Sequence, residues 1–85
     1  MSYNYETIKP QLFTENGVEM LMKITDQTKR LLFSAGAFTM EKVTRTVTGD
    51  SWLMLACLDY LVEKGEIDLA SAKGMRQHWV YTKNN

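Results

Sequence analysis

The sequence predicts an α+β fold in which three helices precede a C-terminal β-ribbon of two or three strands. Three observations carry that expectation. Apolar residues recur at helical spacing between Thr14 and Lys64, with breaks at Gly36 and at Thr48-Gly49-Asp50. Gly65 follows the last helical stretch at once, as a stop signal does. The segment from Glu66 to Lys83 holds two short runs split by Lys73-Gly74, and the second run is rich in aromatic and β-branched residues.

The first thirteen residues lack a clean period, and Pro10 is expected to break any helix there. Tyr3, Tyr5, Leu12 and Phe13 are too apolar for a free tail. Residues 1–13 therefore read as an arm packed on the domain or on a second copy, residues 14–83 as the domain, and residues 84–85 as a tail.

The first predicted helix begins near Thr14, an N-cap residue, with Glu15 favourable in the first turn. Val18, Leu21, Thr25, Thr28, Leu31, Leu32 and Ala35 mark its expected buried stripe. Gly17 weakens its first turn, and Gly36 ends it. Ala37 and Phe38 form an extended link. Thr39 then caps a second helix, Met40 to Val47, with Met40, Val43 and Val47 inward.

After the turn, Asp50 or Ser51 caps a third helix that runs to about Lys64. Its core face is Leu55, Leu58, Leu61 and Val62, while Trp52, Ala56, Asp59 and Glu63 share another face. Glu66 to Leu69 reads as a strand, Ala70 to Met75 as a turn, and Arg76 to Lys83 as the returning strand.

Composition narrows the function classes. An 85-residue chain makes one small domain and buries roughly 60–65% of its unfolded surface. A single cysteine, Cys57, excludes an internal disulfide and the multi-cysteine metal clusters, and it reads as a small buried hydrophobe. No apolar run approaches the roughly 20 residues of a membrane span. The N-terminal stretch lacks the pattern of a secretory signal, so the expected location is the cytoplasm. Cys57 and His78 do not form a persuasive catalytic pair, and no glycine-rich phosphate loop is present. A non-enzyme without cofactor or metal is expected.

Net charge is zero but unevenly spread. Met20 to Thr48 carries +3, Asp50 to Asp68 carries −4, and Leu69 onward carries +3. Such blocks suit an oriented contact surface, or solvated faces with no partner.

Thr39 to Val47 with Thr48-Gly49-Asp50 is similar to a scaffold helix and turn, and Leu55 to Ile67 to the end of a recognition helix entering a wing. The chain from about Val18 to Lys83 resembles the winged helix-turn-helix superfamily. The resemblance implies DNA binding and transcriptional regulation, with the third helix in the major groove and the wing on the backbone. Ser51, Trp52, Leu53, Ala56 and Asp59 stand at the base-reading positions, and an acidic, apolar set is ill-suited to reading bases.

The expected nucleic-acid contacts are therefore Lys42, Arg45, Ser51, Lys73, Arg76, His78 and Lys83. Trp79 and Tyr81 either stack on a base or pack under the hairpin. The alternative is a protein-interaction module that uses Trp52, Leu53, Asp59 and Glu63. A homodimer through the N-terminal arm or the first helix is the other partner expected.

Overall fold

The structure, a computed structural model, describes residues 2–84. Helix α1 (Tyr5–Ile8) and a 3-10 turn (Lys9–Phe13) form the arm. Helix α2 (Glu15–Ala35), strand β1 (Ala37–Thr39), helix α3 (Met40–Arg45) and helix α4 (Ser51–Glu63) follow. Strand β2 (Ile67–Ser71), a 3-10 turn (Arg76–His78) and strand β3 (Val80–Lys83) complete the described chain. The fold is α+β, with helices packed on one antiparallel three-stranded sheet of order β1-β3-β2. Met1 and Asn85 lie outside the described residues, so the expected tail is described only at Asn84, whose side-chain amide donates to the Gly65 carbonyl.

Local chemistry sets the helix ends. Thr14 Oγ1 accepts from the Gly17 N–H at 3.1 Å and caps α2. Gly36 closes it with φ of 79°, and its N–H returns to the Leu32 carbonyl at 2.9 Å. Thr39 caps α3 through the Lys42 N–H, and Asp50 caps α4 through the Trp52 N–H at 2.9 Å. Of the two caps expected for α4, Asp50 is the one used.

Three expectations are corrected. The arm is helical, because Pro10 sits in the first turn of its 3-10 segment, where no N–H is required of it. Arg76 to His78 is a turn and not strand, closed by Trp79 N–H to the Arg76 carbonyl at 3.1 Å. The buried stripe of α2 is rotated: Met20, Ile24 and Thr28 face the core, while Val18 and Ala35 are exposed. Leu21, Thr25, Leu31 and Leu32 flank the stripe at half burial.

The core lies between α2, α4, the arm and the sheet. Leu12 from the arm and Ile24 from α2 are both 0% exposed, and they join Val43, Leu58 and Cys57. Phe38 on β1 stacks on its cross-strand partner Tyr81 with ring centroids 5.4 Å apart. Helix α4 is buried at every position from Leu53 to Leu58 and again at Leu61. A helix enclosed on all sides of its first turns is a core element. It meets α2 on one side, the arm on another and β2 at its end.

Candidate functional site

The basic candidates divide by position. Helix α3 packs against the Arg76–His78 turn, and Met40 N–H donates to the Trp79 carbonyl at 3.3 Å. Lys42 and Arg45 are thereby held on the element beside His78, and all three are exposed. Arg45 shares its charge with Glu41 at 2.9 Å, one turn back on α3. Ser51 is exposed at the start of α4, and Lys73 at the tip of the β2–β3 hairpin. Lys83 ends β3 opposite Ile67, whereas Val80 at the other end of that strand pairs with Thr39 before α3. It shares a hollow with Lys29, Leu32, Phe33 and Glu66 instead.

Arg76 is the clearest correction. It is ion-paired to Asp59 of α4, and both side chains are about three-quarters covered. Its guanidinium lies 4.4 Å from the Trp79 ring centre and 5.6 Å from that of Tyr3. Tyr3 OH donates to the other Asp59 oxygen at 2.8 Å. Burial, then this bond to Asp59, raises the Tyr3 phenol well above its usual range, so it stays a donor. Arg76 thus ties arm, α4 and β-ribbon together, and its charge is spent inside the protein. Tyr81, 1% exposed, lies beneath: it packs under the hairpin and offers no ring for stacking. Trp79 is half-buried under Arg76, with its indole N–H on the Gly74 carbonyl at 3.3 Å.

The acidic face of α4 is likewise occupied. Glu63 accepts from Lys9 Nζ and from Tyr5 OH, each at 2.7 Å. Leu53 is buried and Trp52 half-buried. Trp52, Leu53, Asp59 and Glu63 therefore do not form the free contact face expected of them. The arm residues Tyr3, Tyr5 and Lys9 that cover it are those sequence reasoning missed as partners. Their only signal was an arm too aromatic to be free.

This arrangement makes a pH prediction. The Lys9 ammonium first, and the Tyr5 hydroxyl second, hold the Glu63 carboxyl below its usual value. A depressed carboxylate stabilises the fold above its unfolded pKa of about 4.3 and stops doing so as pH falls through the lower folded value. Glu63→Gln should therefore lose less stability than the parent between about pH 7 and about pH 3, read from urea midpoints. An equal loss would mean the arm contact is absent in solution.

Cys57 is fully enclosed, and burial pushes its thiol up to about 12. It cannot act as a thiolate near neutrality, and His78 sits exposed on the Arg76–His78 turn. A cleft of about 440 Å³ between the arm, α2 and the turn before α4 is lined in part by Glu19, Lys23 and Asp50. Glu19 and Lys23 pair with each other at 3.3 Å. Among the described residues, no helix is long and apolar enough to cross a membrane. No family model matches the chain, and no match is found among curated proteins or solved structures.

Proposed function

We propose that the chain is a winged-helix domain that binds the DNA backbone through α3, the turn before α4 and the β2–β3 wing, in the manner of a small transcriptional regulator. Two features support the fold reading. The elements follow the order α2-β1-α3-α4-β2-β3, and β3 lies between β1 and β2. The observation that carries the binding reading is the packing of α3 on the Arg76–His78 turn. It places Lys42, Arg45 and His78 beside a C-terminal segment that has no acidic residue after Asp68.

The contacts proposed are Lys42, Arg45, Ser51, Lys73 and His78. Arg76 holds the fold in place of a phosphate, and Lys83 faces elsewhere. Base reading by α4 is no part of the proposal, since Leu53 to Leu58 are all buried. Binding of this kind is backbone-directed and indifferent to sequence. Three or four neutralised phosphates give a log–log salt slope near −3, so affinity should fall about thirtyfold as salt rises about threefold.

Fluorescence anisotropy of a labelled mixed-sequence duplex, titrated at low salt, tests this. The expected result is binding in the tens of micromolar that weakens about tenfold in Lys42→Glu/Lys73→Glu. Both side chains are exposed, so the fold should survive the change. Absence of binding at about 100 µM protein, or binding indifferent to both salt and the double substitution, would reject the reading.

A further inference from the structure

Helix α2 carries a second apolar stripe on the face opposite its core stripe. Phe33 is 95% exposed, Met22 is 68% exposed and Val18 is 44% exposed. Met22, Asp26, Lys29 and Phe33 recur at spacings of four, three and four. At 3.6 residues per turn they fall within roughly 60° of arc. That spacing is the seam of a pair of helices packed side by side.

The seam is matched to itself in the antiparallel sense. A two-fold axis midway between Asp26 and Lys29 brings Phe33 of each copy opposite Met22 of the other. The same operation sets Lys29 opposite the other copy's Asp26, twice. Each half then has an apolar plug at its outer end and an opposite-charge pair inside. Lys29 has no ion-pair partner among the described residues, unlike Lys23 and Arg30 on the same helix. Asp26 is ion-paired with Arg30 through Oδ2, 3.1 Å from Nε, so Oδ1 remains to accept from a second cation.

The surface beside Met22 is also concave. A hollow of about 530 Å³ is lined by Leu21, Met22, Thr25, Asp26 and Lys29. It adjoins Met22, the residue that the two-fold sets against the partner's Phe33. The arm cannot cover this stripe, since it is already packed on α4 through Tyr3, Tyr5 and Lys9.

We propose that two copies of this chain associate through α2, antiparallel, with Phe33 of each seated against Met22 of the other and Lys29 paired with Asp26 across the axis. The seam between Met22 and Phe33 spans only about 17 Å of helix. A contact of that length belongs with small, transient interfaces, so a weak dimer in concentration-dependent exchange with monomer is expected. A dimer of this kind is isologous, so each substitution acts twice.

Sedimentation equilibrium over a wide concentration range is the measurement. The parent chain should show a monomer–dimer equilibrium, and Phe33→Asp should weaken it at least tenfold with unchanged circular dichroism. Asp26→Lys and Lys29→Asp should each weaken it severalfold by facing like charges, and the double substitution should restore most of the loss. A parent chain monomeric at about 200 µM would overturn the proposal. So would a dimer indifferent to Phe33→Asp, or charge variants whose combination fails to recover. None of these results bears on the anisotropy titration of the monomer's basic edge, so the two readings fail separately.

Discussion

Gly17→Ala should destabilise the domain by about 2–3 kcal/mol, although helix propensity alone favours alanine by about 1 kcal/mol. The reason is contact between backbones. A Cβ at Gly17 would collide with the Gln11 carbonyl oxygen and with the Leu12 Cα. Neither atom can move as a flexible side chain would, because Gln11 and Leu12 lie in the 3-10 turn Lys9–Phe13 and Leu12 is 0% exposed. The clash must lift the arm from α2, take Leu12 out of the core, or unwind the first turn. At 4–8 °C per kcal/mol for a domain of this size, the melting temperature should fall by roughly 10–20 °C. Thermal unfolding followed by circular dichroism gives the answer. A variant as stable as the parent would show that the arm does not abut α2 at this point.

The second large effect is Ile24→Ala, expected to cost about 3 kcal/mol. Ile24 is 0% exposed on the core side of α2, and α2 packs on α4 there. Truncation removes three buried carbons and leaves a void among neighbours held by the rest of the helix. Val18→Ala, on the outer side, should stay within about 0.5 kcal/mol. Urea midpoints of the two variants, at a shared m-value, decide between the two phases of the helix. Equal losses, or a larger loss at Val18, would return the core to the stripe that periodicity first indicates.

That pair of residues also marks the limit of the sequence. Helix α2 has apolar residues on both faces: Met20, Ile24, Leu31 and Leu32 on one side, and Val18, Met22 and Phe33 on the other. A period of 3.6 identifies the helix from either set, but it cannot say which set meets the core. The caps were more legible. Thr14, Thr39, Asp50, Gly36 and Gly65 act within three or four residues of their own positions, so the chemistry that ends each helix is written beside it.

The candidate site was legible only in its exposed members. Lys42, Arg45, Ser51, Lys73 and His78 are on the surface, as expected. Arg76 looks identical in sequence, yet its partners are Asp59, seventeen positions back, and Tyr3 and Trp79 around it. The acidic face of α4 is hidden by residues more than fifty positions away: Tyr3 reaches Asp59, while Tyr5 and Lys9 reach Glu63. A local reading of charge has no access to such pairings.

The sequence alone determined the α+β class, the bounds of α2, α3 and α4 to within a few residues, and the presence of a C-terminal β-ribbon, but neither the helical arm nor where the strands of that ribbon begin and end. Hydrophobic period, capping side chains and turn glycines are local, and they act before distant parts of the chain meet. Only the tertiary structure decided that the arm closes over α4, that Arg76 is an internal tie and that the outer stripe of α2 is bare. Each of those depends on which surfaces the packed chain brings together, and burial is a property of the whole assembly of elements and not of any one of them.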